Sequence, residues 1–308
     1  MGLWLNFSNL AWLTWSNPVA VWWLFLIAIS AVNILFWHQL RTLIRRAAPP
    51  RGAVRLFAAE TLLFLSAAYV FGCAFRSILP RADVQRICLF DTWLSNVLVG
   101  RSVATVAELC FVIQWAIVLY ELGKITRSDT AKNIAWLIVP LIVGAECCSW
   151  YAVITTDFLG NVLENSLWAV TFMMIAIALI RLSFSFRGIA QAAIAATAIG
   201  VAGYVVFMSF VDVPMYAARW QAELADGAPT LGFFAGLHDL ATRWVVTHDI
   251  ADWRFEIPWM SLYFSVAVWT SLALGGFSLI RHRLPAYRVR RPLIKPSRRP
   301  IPVPVRSS

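Results

Sequence analysis

Two glutamates, Glu108 and Glu146, lie inside apolar segments that are long enough to cross a membrane. At the helical rise per residue, Glu108 is ~16 Å from the start of its segment and Glu146 is ~12 Å from the end of its own. Side chains lean toward the N-terminus of their helix, so on antiparallel neighbours the two carboxyl groups converge on one depth. Two like carboxylates at one depth are suited to handling a proton or a cation.

Basic and polar residues lie near these glutamates along the chain. Arg101, Thr105 and Glu108 share one helix face at spacings of four and seven residues. Arg76 lies at the end of the preceding apolar segment, and Asp91 follows in the loop. We therefore predict one ligand-binding site with these members: Arg76, Asp91, Arg101, Glu108 and Glu146.

Two interpretations of this set remain open. Ionisable residues within membrane spans usually pair with one another, so the set could be a buried Arg–Glu network that only fixes helix packing. It could equally line a functional pocket. Pro140 removes a backbone hydrogen bond six residues before Glu146, and Gly144 adds conformational freedom. Together they predict a distorted helix beside the carboxylate. Distorted helices of this kind often line polar cavities within membranes.

A second group of chemistry-bearing residues lies in the last loop before the final apolar segment. His238-Asp239 and His248-Asp249 are followed by Asp252, and imidazole together with carboxylate can bind a divalent metal. On one continuous helix, however, His238 and His248 face different ways. We expect solvated loop polarity rather than a metal site, and the sequence points to no particular cofactor. If a metal does bind, the candidate ligands are His238, His248, Asp249 and Asp252.

Motifs of several common enzyme classes are absent from the sequence. It has no Walker loop, no H-E-x-x-H, no G-x-S-x-G and no dinucleotide-binding fingerprint. The three lysines lie outside the apolar segments, so no retinal Schiff base is expected. The cysteines show no C-x-x-C spacing. Cys110 is expected to act as a buried small hydrophobe, whereas Cys73, Cys88 and Cys147 could supply one disulfide.

The helices that position these residues follow from composition. The chain has 308 residues, of which 60% are hydrophobic and 14% are charged, whereas soluble domains are about half apolar and about a quarter charged. A spanning helix needs about 20 mostly apolar residues. We predict an all-α, polytopic transmembrane bundle over residues 18–280. Its seven spans are Val19–Leu40, Leu56–Ile78, Val97–Glu121, Ile134–Ile154, Leu167–Phe186, Ile189–Phe210 and Pro258–Ile280.

The orientation of the bundle follows from its lysines and arginines. Of these 26 residues, 19 lie in the first, third and fifth connections and in the tail after Ile280. Seven spans place all four of these stretches on one face, and basic residues favour the cytoplasmic face. The N-terminus is therefore predicted to lie outside and the C-terminus in the cytoplasm. The Ala/Arg-rich composition and short loops favour a bacterial inner membrane.

The regions outside the spans predict contacts with the membrane. Residues 1–17, and a helix over residues 231–245 within the loop 212–257, are expected to lie on the outer surface because they are amphipathic. Residues 281–308 form a basic, Pro/Arg-rich tail that is expected to contact anionic lipids. The net charge of +10 is concentrated at span ends and in the tail, so the expected partner is the lipid bilayer and not nucleic acid.

Three functions fit these patterns. The first is solute or ion binding in transport or sensing, at the site containing Arg101, Glu108 and Glu146. The second is an accessory or structural subunit of a larger membrane complex, which is favoured by the tryptophan surplus and by the small-residue stripe Ala192, Ala196 and Gly200, where another helix could approach closely. The third is a membrane-embedded enzyme that acts on a lipid-linked substrate at the outer leaflet. Its general base would be Glu108 or Glu146, and its anionic headgroup would bind Arg76 and Arg101.

Overall fold

The computed structural model describes residues 11–47, 53–227, 229–281 and 284, with the side chains of residues 53–58 left out. Within these residues the chain is almost entirely helical, and seven helices are long and apolar enough to cross a membrane. The predicted all-α bundle is confirmed at this level. Most of the N-terminal amphipathic segment and nearly all of the basic tail lie outside the described residues.

Twelve helices are present in the described part of the chain. The first five are α1 (Pro18–Ala47), α2 (Ala53–Ile78), α3 (Val97–Thr126), α4 (Asp129–Thr155) and α5 (Leu159–Ser183). A π-helical turn, Met208–Asp212, joins α6 (Gly188–Phe207) to α7 (Val213–Asp226). Two short helices follow, α8 (Phe233–Thr242) and α9 (Ile250–Trp253). A second π-helical turn, Tyr263–Ala267, joins α10 (Glu256–Leu262) to α11 (Val268–Gly275), and α12 (Phe277–Ile280) follows.

Consecutive long helices pack side by side from α1 to α6, and α11 returns to lie against α2. The side chain of Asn96 accepts the backbone N–H of Val99 at 2.8 Å and so caps the start of α3. At the other end of α3, Arg127 adopts a left-handed conformation, and Ser128 then caps α4. These caps make a tight connection that holds α3 and α4 antiparallel.

Three short strands cover one end of the bundle. Strand β1 (Arg81–Ala82) pairs antiparallel with β2 (Ile87–Cys88), and β2 pairs parallel with β3 (Val245–Val246). The segment from β1 to β2 is called the hairpin below, and the end of the bundle that carries it is called the hairpin end. The opposite end, where α3 meets α4, is called the far end.

Three predicted features differ from the observed helices. Helix α5 begins at Leu159 rather than at Leu167, because polar residues in its first two turns lower the local hydropathy without ending the helix. The sixth span continues as one 39-residue run from Gly188 to Asp226 and does not end at Phe210. Helix α4 passes through Pro140 without interruption, and the irregular turns lie instead between α6 and α7 and between α10 and α11.

The predicted amphipathic helix over residues 231–245 is present in part, as α8, and its end is replaced by β3. Helix α8 lies against the ends of α3 and α4, where Leu240 is buried with Val97 and Ile154. A Cβ atom at Gly236 would collide with the carbonyl of Ile154, so glycine permits this close approach. The small-residue stripe of α6 is exposed, and a Cβ atom added at Gly200 would meet no described atom within 4 Å.

Candidate functional site

Arg101 lies at the centre of a buried charged cluster. Its Nη2 donates hydrogen bonds to Glu108 at 2.9 Å and to Glu146 at 2.8 Å, and it lies 3.5 Å from Glu164. All four side chains are buried, and they come from α3, α4 and α5. Glu108 and Glu146 thus lie close together on one guanidinium, and these four residues are called the Arg101 cluster. Their role as ligand-binding residues stays a prediction.

Neutral donors from neighbouring helices fix the direction of two of these carboxylates. The hydroxyl of Tyr263 donates to Oε1 of Glu108 at 2.8 Å. The hydroxyl of Thr105 donates to Oε2 of Glu146 at 2.6 Å. Tyr263 begins the π-helical turn between α10 and α11, and such turns frequently occur at functional sites. The seventh span thus contacts the cluster through an irregular turn.

Glu164 is the member of the cluster that the sequence interpretation missed. It lies in the second turn of α5, three residues after Asn161, whose Nδ2 donates to its Oε2 at 3.1 Å. Asn161 and Glu164 share the face of α5 that is turned toward α4. The signal that could have found them is this spacing of polar residues immediately before an apolar run.

The Arg101 cluster carries more negative than positive charge. In their ionised forms, three carboxylates against one guanidinium leave a formal charge of −2. One oxygen from each carboxylate lies within 4.8 Å of the others, a spacing that would also suit a metal ion. The cation that the structure places among them is the guanidinium of Arg101. An excess of buried negative charge is costly within a membrane, so the cluster is suited to a proton or a further cation.

A cavity of about 60 Å³ lies between the cluster and the hairpin. It is called the hairpin cavity below, and residues 81–85 of the hairpin line it. Most of its other walls are polar, and they include Arg76, Arg101, Ser149, Asn161, Glu164 and Glu256. The cluster is therefore adjacent to a polar space and not enclosed in apolar packing.

Arg81 anchors the hairpin above this cavity. Its Nη1 donates to the carbonyl oxygens of Leu94 at 3.3 Å and Asn96 at 2.7 Å, just before α3 begins. The guanidinium lies against Gly100, where any Cβ atom would overlap it. Burial lowers the pKa of Arg81 to about 10, so the side chain remains charged near neutral pH.

Arg86 fixes the other side of the hairpin. Its Nε donates to Asp239 of α8 at 2.9 Å, and its Nη2 donates to the carbonyl of Val153 at 2.6 Å. Its Nη1 donates to the carbonyl of Asp83 at 2.6 Å. Because these partners lie on α4, on α8 and within the hairpin itself, the hairpin is held as a cover over the cavity.

Several buried polar atoms at the cavity and the cluster have no hydrogen-bond partner within the described protein. The donors are Nε of Arg76, Nη2 of Arg81 and Nε of Arg101. The acceptors include Oδ1 of Asn161. Buried polar groups are nearly always hydrogen-bonded, so this site is suited to a polar occupant.

Asp91 and the histidine loop lie away from this site. Asp91 is exposed and accepts a hydrogen bond from the indole N–H of Trp244 at 2.9 Å. His238 is exposed on α8, whereas the ring of His248 stacks on Trp12 at 4.2 Å. Asp249 caps the start of α9. The structure therefore does not gather the candidate metal ligands, and Asp252 likewise accepts from a neighbouring threonine.

All five cysteines are free. The disulfide that the sequence allowed among Cys73, Cys88 and Cys147 is not formed. Cys88 is fully buried in β2, and burial raises the pKa of its thiol to about 11. The thiol therefore stays protonated near neutral pH and packs as a small apolar side chain.

Comparison of the chain with protein-family models, with curated proteins and with solved structures finds no match. The seven apolar helices indicate a multi-pass integral membrane protein in a lipid bilayer. Function must therefore be inferred from the Arg101 cluster and the hairpin cavity.

Proposed function

We propose that this multi-pass membrane protein binds a proton or a small cation at the Arg101 cluster while it transports or senses a solute or an ion. The observation that carries the proposal is that Glu108, Glu146 and Glu164 share the single guanidinium of Arg101. Carboxylates held this close disfavour one another's ionised form, so a proton or a cation between them is stabilised.

A ligand reaches the cluster from the hairpin end. The hairpin cavity lies on that side, while stacked aromatic rings lie next to the cluster on the other side. Tyr69 and Phe111 stack at 4.6 Å between ring centroids, and Phe111 and Trp115 each lie within 6.5 Å of Phe172. This layer favours access from one side only, as in a sensor or in one conformation of a transporter.

The unpaired atoms of the site argue against a purely structural role. An accessory subunit whose charges only fix helix packing needs a dry network in which every buried group has a partner. Here unpartnered donors on Arg76, Arg81 and Arg101 border a polar cavity. A membrane-protein partner on the exposed stripe of α6 is compatible with this function but does not explain it.

We further propose that the hairpin end faces the outside of a bacterial inner membrane. The N-terminus then lies outside, and the basic tail lies in the cytoplasm near anionic lipids, because 19 of the 26 lysines and arginines share the far end and the tail. Reporter fusions after Asn9, Gly227 and Arg299 test this orientation. Cytoplasmic signals from the first two fusions, or an external signal from the third, would contradict it.

Binding to the purified protein tests the assignment of the cluster. The wild type in detergent is titrated with Na⁺ and with methylammonium, followed by calorimetry and by the infrared absorption of protonated carboxyl groups. We expect the carboxyl signal to fall as the cation displaces the proton. Glu146→Gln and Glu164→Gln each remove one negative charge, so each should weaken cation binding by about tenfold or more.

Glu60→Gln is the matched control, because Glu60 is exposed on α2 and remote in sequence from the cluster. It should bind cations as the wild type does. A wild-type protein that shows neither a protonated carboxyl signal nor cation binding would contradict the proposed function. Equal binding by all the variants would do so as well, since Glu146 and Glu164 would then play no part.

A further inference from the structure

We propose that the hairpin cavity binds a small zwitterion, with its ammonium group toward Glu164 and its oxyanion toward Arg76 and Arg81. The inference rests on the proposed function, since the ammonium is the cation assigned there to the carboxylates. Beyond the proposed function, the ligand also carries a negative charge, which binds to Arg76 and Arg81. The ligand chemistry is that of a small amino acid or of a zwitterionic lipid headgroup.

The hairpin side of the cavity carries an excess of positive charge. Arg76 lies 3.6 Å from one oxygen of Asp83, and Arg81 lies 3.5 Å from the other. Two guanidinium groups against one carboxylate leave a formal charge of +1. Nε of Arg76 and Nη2 of Arg81 have no hydrogen-bond partner, although both residues are at most 4% exposed. Donors of this kind match the oxygens of a carboxylate or a phosphate.

The opposite side of the cavity carries an excess of negative charge, because it adjoins the Arg101 cluster. Glu164 lines the cavity, and so does Asn161, whose Oδ1 is buried without a hydrogen-bond partner. Ser149 also lines it, with its hydroxyl facing Glu164. An ammonium group has three donors and no acceptor, so it matches this set of oxygens. The two walls therefore differ in charge sign and in hydrogen-bonding capacity.

One further acidic residue faces the cavity, and it is already compensated. Glu256 lies 3.7 Å from Arg219 of α7 and accepts a hydrogen bond from Gln85 at 3.5 Å. Arg219 is held by aromatic rings, with Phe255 at 5.1 Å. This pair adds no net charge, so the positive excess beside Arg76 is preserved.

The volume of the hairpin cavity limits the size of the ligand. A cavity of about 60 Å³ holds about four to six water-sized atoms. Glycine and β-alanine fall near this size, and so does the ammonium end of a phosphatidylethanolamine headgroup. A bare cation would leave the unpartnered N–H groups of Arg76 and Arg81 without acceptors. A bare anion would face the carboxylates of the cluster.

The test compares a zwitterion with its two halves on delipidated wild-type protein. Glycine, β-alanine, methylammonium and acetate are titrated separately by calorimetry. We expect one of the two amino acids to bind at least tenfold more tightly than methylammonium, and acetate to bind most weakly. Because this comparison needs no variant, it does not depend on whether a substituted protein folds.

Arg76→Gln then removes one guanidinium from the positive wall. It should abolish the advantage of the amino acid over methylammonium and leave methylammonium binding within about twofold of wild type. Arg254→Gln, which changes an exposed arginine that does not line the cavity, is the control and should change neither. Mass spectrometry of protein purified with native lipid identifies the source. Phosphatidylethanolamine retained by the wild type and lost in Arg76→Gln assigns the zwitterion to a lipid.

Two results would overturn the inference. If methylammonium binds as tightly as both amino acids and no zwitterionic lipid is retained, the positive wall takes no ligand, while the cation site of the proposed function stands. If acetate binds and neither methylammonium nor an amino acid does, the site takes a simple anion, and the proposed function fails as well.

Discussion

Two buried polar groups lie along α3, one near its middle and one near the hairpin end, and they are built differently. The first surrounds Gln114, whose Nε2 donates to the carbonyl oxygens of Leu62 at 3.1 Å and Ser271 at 3.2 Å. The hydroxyl of Ser271 donates back to Oε1 of Gln114 at 2.6 Å. The second is the Arg101 cluster, with three carboxylates on one guanidinium.

The difference between the two groups separates packing from binding. The group around Gln114 is neutral, and its donors and acceptors satisfy one another across α2, α3 and α11, so it holds three helices together. The Arg101 cluster is charged, borders a cavity and has unpartnered atoms at its edge. Burial alone therefore does not distinguish the two groups, and it is the unmatched charge beside a polar cavity that supports the proposed binding at the Arg101 cluster.

The largest expected effect is that of Arg101→Gln. Removing the guanidinium leaves Glu108, Glu146 and Glu164 without their shared cation, and breaking a buried ion pair in this way costs about 3–5 kcal/mol. The measurement is chemical unfolding in mixed micelles. A second change, Glu108→Gln in the Arg101→Gln protein, should restore part of the loss. A single variant as stable as wild type would mean that Arg101 does not compensate these carboxylates.

Substitution in the group around Gln114 should destabilise the protein less than Arg101→Gln does, and it should leave cation binding unchanged. Gln114→Leu leaves the hydroxyl of Ser271 without its acceptor, so we expect a loss of about 1–3 kcal/mol in the free energy of unfolding. Cation binding per folded molecule should stay at the wild-type level. Gln39→Leu, at an exposed position of α1, is the control. Loss of cation binding in Gln114→Leu would contradict the idea that the group around Gln114 serves packing alone.

The smallest expected effect concerns the contact between the seventh span and the cluster. Tyr263→Phe removes one hydrogen bond to Glu108 and should cost about 0.5–1.5 kcal/mol. Since that bond stabilises the ionised carboxylate, cation affinity should fall about three- to tenfold. Tyr120→Phe, at an exposed tyrosine of α3, should leave the affinity unchanged. Unchanged affinity in Tyr263→Phe would place Glu108 outside the binding step.

The sequence predicts the centre of the site well and its edges poorly. Glu108 and Glu146 could be paired because each interrupts an apolar run at a depth that the helical rise fixes. Glu164 was missed for the opposite reason. Its neighbours Asn161 and Asn165 lower the hydropathy, so the pattern predicts a span that begins only at Leu167, whereas α5 begins at Leu159. Polar residues at the end of a span are ambiguous until tertiary packing shows what they face.

The position of the hairpin over the cavity could not be predicted from the local sequence pattern. Arg81 and Arg86 have the composition of ordinary loop arginines, and only their buried partners distinguish them. Asp91 lies in the same loop as these arginines, which predicts a place beside the cavity, yet it contacts Trp244 at the surface. Sequence proximity brought Asp91 into the prediction, while long-range contacts decide which side chains line the cavity.

The long-range contacts of the hairpin also affect the order in which parts of the protein can assemble. Arg86 bonds to Asp239, which lies 153 positions later in the chain, and β2 pairs with β3 from the same late segment. Helices α3 to α5, which supply the Arg101 cluster, are synthesised before either partner exists. The cluster must therefore spend part of biosynthesis without its full cover, and the site is completed only when the last span enters the membrane.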